Sequence, residues 1–238
     1  LRKRARDFDL VHDNQCLGYG ILDIEKRIPT IVTLHHPITR DRALEMAHAP
    51  TRRRARSIGR WYSFVKMQGR VASRMPRVVV VSENSIKDIH DDMHVSLDRM
   101  RLVPVGVDPE LFRPVRRDAE PGGRIRLLYV GTLAPWQGLS LLVEAFGRAC
   151  RHADLELVLL APNKGVWVRP LMKRIDKLGL SERVRLLPPR SLADVPSAIA
   201  QADICVAPLA NTKRNRVQGC CPIKVLEYLA CERPVVAA

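Results

Sequence analysis

The sequence holds no run of eighteen apolar residues, so nothing in it reads as a membrane-spanning helix. Its opening, Leu1–Arg2–Lys3–Arg4–Ala5–Arg6, lacks the apolar stretch of a signal peptide. The cysteines form no CxxC pair and no HExxH occurs, so no metal site is expected. Adjacent Cys220 and Cys221 would bridge only with strain, and several of the six cysteines lie in apolar patterns. Reduced core cysteines are the expectation, and with them a cytoplasmic protein, free or peripheral on a membrane. There is no Walker lysine loop, and Gly131 and Gly138 stand seven apart rather than in a GxGxxG, which removes P-loop enzymes and weakens a dinucleotide reading. No RRM, KH or helix-turn-helix signature accompanies the basic charge. The chain also lacks an initiating methionine and stops within a strand pattern, so a fragment is expected.

What is present is a chain of 238 residues, 46% of them hydrophobic, enough for one large or two modest domains. A net charge of +15 calls for an anionic partner: nucleic acid, acidic lipid or a phosphorylated small molecule. The charge is most concentrated between residues 51 and 77, where Arg52, Arg53, Arg54, Arg56, Arg60, Lys66, Arg70, Arg74 and Arg77 face no acidic residue. Ile58, Trp61, Val65, Ala72 and Met75 keep approximately helical spacing there, giving a basic amphipathic helix. Such a helix either packs on a sheet with its basic face solvated, or meets acidic headgroups or a phosphorylated acceptor.

Before this segment, Asp9–His12 reads as a short strand and Pro29–Leu34 as a better one, ending in His35–His36–Pro37. In open α/β sheets ligands collect beyond the carboxyl ends of strands, so these histidines are site candidates. After it come the β-branched run Val78–Val81, a helix over Glu83–Asp92 and a strand with a turn over Met100–Asp108. Residues 115–124, rich in charge, proline and glycine, read as a linker between domains at 1–114 and 125–238. The second of these alternates cleanly: strands Ile125–Val130, Leu155–Leu160, Val184–Leu187, Ile204–Ala207 and Pro234–Ala237 separated by helices. Strands this apolar require a parallel sheet covered on both faces, hence an α/β, Rossmann-like domain.

The stretch from Gly219 to Ala238 draws most of the chemistry together. A helix opens on Pro222, with Ile223, Leu226 and Ala230 expected on its core face. Lys224 in its first turn opposes the helix macrodipole unless an anion sits there, so Lys224 and the loop amides look prepared for a phosphate. Lys224 and Glu227, three apart, also admit a plain surface pair.

In order along the chain, Val130–Gly138, Leu142–Phe146, Leu178–Val184, Ala202–Pro208 and Lys224–Ala238 together resemble family-four glycosyltransferases of the GT-B fold. So do Asp9–His12, Thr33–His35, Val81–Glu83, Val103–Asp108 and Phe112–Pro114 in the first half, and the resemblance covers nearly the whole chain. It implies two Rossmann-like domains, both incomplete here, and metal-free transfer of a sugar with retention from a nucleotide-sugar co-substrate in the cleft between them. No cofactor is implied, and the fragment alone is expected to be poorly active. Glu227 matches the acid that holds the donor ribose, while Lys224 and the amides of the loop around Cys220, Cys221, Pro222 and Ile223 would face the diphosphate. His35 matches the histidine beside the sugar; Asn14, Gly18 and His36 are candidates on the acceptor side, and Arg190 borders the nucleotide base or is solvated.

Three departures accompany this. The acid eight residues before Glu227 is replaced by Gly219, leaving Asn215, Gln218 or loop amides for the sugar hydroxyls. The arginine after Gly131 is Thr132, and the lysine before Gly138 is Gln137. Lys224 is then expected to compensate, or the donor differs. A non-catalytic basic nucleotide- or nucleic-acid-binding module is the reading from another class.

Overall fold

The computed structural model describes residues 2–47, 49, 51–116, 123–188, 191–212, 215, 216 and 222–238. The chain forms two compact units, the first running to Val105 and the second comprising Gly106–Asn215 with Pro222–Ala238.

In the first unit, strands β1 (Val11–Asn14), β2 (Thr30–Leu34), β3 (Val78–Val80) and β4 (Met100–Leu102) lie side by side in that order, all parallel. Alternate residues point to opposite faces of a strand. Val32, Leu34, Val78 and Val80 thus enter one core with Ile21 of α1 (Gly20–Glu25), Val71 and Ala72 of a later helix, and Ile89 and Met93 of the helix after β3. The opposite face, with Ile31, Thr33 and Val79, lines a concavity of about 530 Å³ that reaches Asn14 and His35 at the strands' carboxyl ends.

The single basic helix expected over 51–77 is two. After α2 (Ile38–Ala47), α3 (Arg52–Trp61) starts on Thr51, whose hydroxyl accepts the Arg54 N–H at 3.1 Å. A 3-10 turn at Tyr62–Phe64 follows, and then α4 (Val65–Ala72). The tightened turn carries Tyr62 inward, its hydroxyl donating to Glu45 of α2 at 2.7 Å, beside Ile58 and Val65. Trp61, assigned to the inner face by spacing, is 74% exposed. One residue of phase separates the two readings, because Tyr62 can satisfy its hydroxyl inside and Trp61 points away. Helix α5 (Glu83–Met93) is capped by Ser82, which accepts the Ser85 N–H at 3.2 Å.

The second unit has strands β5 (Ile125–Val130), β6 (Leu155–Leu160), β7 (Val184–Leu187), β8 (Ile204–Ala207) and β9 (Val235–Ala237), all parallel, in the order β7-β6-β5-β8-β9. Tyr129, Leu157, Leu159 and Val206 face α6 (Leu139–Ala149) and α7 (Val168–Lys177). Leu128, Val158, Leu160 and Cys205 face α8 (Val195–Ala200) and Tyr228 of α9 (Ile223–Ala230). Both faces are covered, as unbroken apolar strands require. The five strands fall within a residue of the sequence expectation.

Residues 106–114, assigned by sequence to the first domain, pack with the second unit. The Asp108 carboxylate accepts the N–H of Glu110 and Leu111, and its carbonyl accepts Phe112 N–H at 2.8 Å. This turn folds Phe112, 4% exposed, onto the core of Leu128, Val158 and Ile199. Of the expected linker, residues 117–122 lie outside the described residues.

Candidate active site

The second sheet reverses direction at β5: β6 and β7 are added on one side, β8 and β9 on the other. A crevice at the carboxyl ends of β5 and β8 is where such a sheet receives a ligand. Pairing of β5 with β8 ends at Leu128–Cys205, and the N–H of Val130 donates instead to the Tyr228 hydroxyl at 2.8 Å. Tyr228 is fully buried, so this bond ties α9 to the strand end where Gly131 begins the next turn. The core anchor of α9 is therefore Tyr228. Ile223, expected inside, is 46% exposed, and Leu226 and Ala230 are only half-buried.

Held in this way, α9 sends Lys224 to the crevice. Its Nζ donates to Gln137 Oε1 at 2.8 Å and lies 4.2 Å from the centre of the Tyr129 ring. The Tyr129 hydroxyl donates to the Thr132 carbonyl at 2.6 Å, and burial pushes its pKa above the ordinary phenol value. Gly131, at φ +140°, leaves the space: a Cβ there would stand 2.9 Å from Lys224 Nζ and 3.1 Å from Tyr129 Oη. Gly138, at φ +75°, passes so close to β8 that a Cβ would lie 1.8 Å from the Pro208 carbonyl oxygen. Gln137, which replaces a cation in the family pattern, thus positions another cation.

Glu227 lies one turn along α9, half-buried, where it feels the Lys224 charge. Burial raises its carboxyl pKa, with the Lys224 charge opposing the shift. A desolvated carboxylate with no hydrogen bond from any described side chain is an acceptor awaiting donors. Asn215 is differently placed: its amide donates to the carbonyls of Trp136 and Ala210, both at 2.8 Å, so both amide hydrogens tie loop to loop. The Thr132 side chain is exposed. Arg190, Gln218, Gly219, Cys220 and Cys221 lie outside the described residues.

In the first unit, the β1–β2 ladder ends at Asn14–Thr33, and the Gln15 side chain continues it. Gln15 Oε1 accepts the His35 N–H at 2.7 Å and its Nε2 donates to the His36 carbonyl at 2.9 Å. The His35 carbonyl accepts from Ser85 Oγ at 2.8 Å, so its backbone is held on both sides. The imidazole Nε2 is 2.8 Å from Asn14 Oδ1. Gln15 takes the left-handed φ of +60° because Asp13 binds the N–H groups of Cys16 and Leu17 and turns the chain over it. Buried Gln68 then donates to the Gln15 carbonyl at 3.1 Å.

The structure brings Asn14 together with His35, and Gly131 and Gln137 with Lys224. His36 turns away, its Nε2 lying 2.6 Å from Asp41 of α2. Gly18 sits before α1 in open space, with nothing within 4 Å of a would-be Cβ. Sequence reasoning missed Gln15, Tyr129 and Tyr228. An Asx turn at Asp13 is the signal that could have marked the neighbourhood of Gln15, but a tyrosine in an apolar strand or helix gives no local sign that its hydroxyl organises a site.

Two family models divide the chain: "Glycosyltransferase Family 4" matches residues 1–111 and "Glycosyl transferases group 1" matches residues 124–238. The chain belongs to the family-four glycosyltransferases. Among curated relatives, the MMP alpha-(1->4)-mannosyltransferase of Mycolicibacterium hassiacum is 40% identical over 242 residues, covering 100% of this chain and 55% of the relative. The chain thus spans about half the length of the curated relatives it matches. Solved structures share the GT-B fold at low identity. Sucrose-phosphate synthase (tll1590) from Thermosynechococcus elongatus matches with TM-score 0.70 at 20% identity, over 99% of this chain and 57% of that one. Anabaena Alr3699/HepE in complex with UDP matches with TM-score 0.69 at 20% identity, over 99% and 61%.

Proposed function

We propose that this chain belongs to an enzyme that transfers a sugar, with retention and without a metal, from a nucleoside-diphosphate donor to an acceptor hydroxyl. One observation carries the reading: an ammonium group held by Gln137 and the Tyr129 ring against a side-chain-free Gly131, at the point where the sheet reverses. Breaking the bond from the sugar to the diphosphate leaves new negative charge on a phosphate oxygen. A fixed cation and backbone amides in a partly dry crevice stabilise that charge as it develops. Glu227 accepts hydrogen bonds from the two ribose hydroxyls, a task for a carboxylate whose acceptors are unfilled. His35, its backbone clamped, holds a sugar hydroxyl through its imidazole. The acceptor oxygen bonds to the sugar carbon on the face the diphosphate leaves, and its proton passes to the departing phosphate.

The UDP complex of the structural neighbour supports a nucleoside diphosphate, and the mannosyltransferase name of the 40% relative makes a mannosyl donor the first to assay. The test is calorimetry with uridine and guanosine diphosphates against the parent, Lys224→Ala and Glu227→Ala. Saturable binding by the parent that is lost in both variants is expected. Equal binding by all three overturns the donor assignment, and binding that ignores both nucleotides and collapses with salt returns the protein to the nucleic-acid reading.

A further inference from the structure

The cations of α3 and α4 take no part in the site, yet they are arranged. Ile58, Tyr62 and Val65 anchor the pair of helices inward, and Tyr62, its pKa pushed up to about 12 chiefly by burial and then by Glu45, holds its proton for that bond. Arg53, Arg56 and Arg60 fall at spacings of three and four on the exposed side of α3, and Lys66 and Arg70 at four on that of α4. Among the described residues none of these five is ion-paired; the nearest acids of α2 are engaged, Asp41 with His36 and Glu45 with Tyr62. Trp61, 74% exposed, stands at the junction between the two cationic rows.

We propose that this surface docks on a membrane bearing anionic phospholipid, the arginines and lysine meeting headgroup phosphates and the Trp61 indole entering the boundary with the acyl chains. The pairing of features favours lipid over a soluble polyanion. A nucleic-acid duplex would engage the cations but keeps its bases stacked away from a protruding indole, whereas a headgroup layer gives its ring an apolar side and its N–H a polar one. Cationic rows and an apolar wedge together supply the two attractions that interfacial helices combine. The inference stands apart from sugar transfer and does not depend on it.

The test is cosedimentation of the purified protein with neutral phosphatidylcholine vesicles and with vesicles in which about a third of the lipid is phosphatidylglycerol. Binding to the anionic vesicles alone, weakening as salt shortens the screening length, is expected. Combined Arg53→Gln, Arg56→Gln and Arg60→Gln lowers the vesicle affinity about a hundredfold, and Trp61→Ala lowers it several-fold. Replacing the same arginines by lysine keeps most of the binding, and all variants unfold thermally as the parent does, which separates docking from folding. Equal binding to both vesicle types, or to none, overturns the proposal, as does a triple glutamine variant that binds like the parent. A single-stranded oligonucleotide bound more tightly than the anionic vesicles and weakened by Trp61→Ala, as base stacking on the indole requires, also overturns it and points to nucleic acid, and Trp61→Ala without effect on vesicle binding overturns it too.

Discussion

His35 in the first unit is held through its backbone, by Gln15 and Ser85, whereas Lys224 in the second is held through its side chain, by Gln137 and Tyr129. The difference matches what each group must do. A backbone clamp fixes where an imidazole is rooted and leaves the ring, restrained among the described residues at Asn14, for the sugar hydroxyl proposed above. A side-chain clamp fixes the charge itself, which is what a diphosphate needs if no reorganisation is to accompany the reaction. The two arrangements also fail differently: the second is vulnerable wherever backbone packs on backbone, the first wherever a side chain stands in for a ladder.

The largest effect is expected at Gly138. Gly138→Ala drives a Cβ into the Pro208 carbonyl at a φ that side chains rarely adopt, and neither backbone segment can yield without moving β8 or α6. A loss above about 4 kcal/mol is expected by thermal or denaturant unfolding, large among single substitutions. Gly18→Ala in the first unit, with empty space around it, is the control and should change stability by less than about 0.5 kcal/mol. Equal losses would erase the contrast.

Gly131→Ala comes next: its φ of +140° strains the backbone as at Gly138, but the nearest atom a Cβ meets is the far end of a flexible lysine, so function falls together with a smaller loss of stability. The ammonium must leave its place beside Tyr129, and nucleoside diphosphate affinity should fall at least about tenfold, the cost of misplacing one charge-assisted hydrogen bond. Calorimetry showing unchanged affinity would mean that Lys224 reaches the phosphate from a different position.

What could be read from the sequence follows the same division. The strands of the second unit were legible because they are buried on both faces and separated by helices, a pattern that composition alone enforces. Lys224 was legible as a candidate because a cation in a helix's first turn opposes the macrodipole, whereas Glu227 became one only through the family resemblance. The grip on them was not, since Tyr129 and Gln137 lie 95 and 87 positions before Lys224 and meet it only through sheet order. The phase of α3 was misjudged for a related reason: Trp61 and Tyr62 are adjacent aromatics, and only Glu45 on a helix that had not been anticipated decides which one turns inward.

Gln15→Ala tests the first unit's side of the comparison with a smaller effect. It removes both hydrogen bonds to the His35–His36 backbone and leaves a left-handed alanine, a destabilisation of about 1–2 kcal/mol. In an assay of the proposed sugar transfer, turnover should fall about tenfold while nucleoside diphosphate affinity stays unchanged. A loss of nucleotide affinity instead would tie Gln15 to the donor and contradict the division of roles.

The smallest effect is one of pH, and it separates the carboxylate from the cation inside the second site. Burial raises the Glu227 pKa above its ordinary value of 4.5, so the folded protein binds that proton more tightly than the unfolded chain. Stability from this group is present below the unfolded pKa and is lost as pH rises through the folded one; Glu227→Gln should therefore melt slightly above the parent at neutral pH and lose that advantage in acid. Ligand binding runs the opposite way. If ribose hydroxyls donate to the ionised carboxylate as proposed, acidification through the raised pKa should weaken binding of a nucleoside, which brings no phosphate of its own to titrate, by a few-fold. In Glu227→Gln the pH dependence should vanish, while Lys224→Ala keeps it. A nucleoside affinity flat across the same range in the parent would remove Glu227 from the ribose and leave Lys224 alone to recognise the donor.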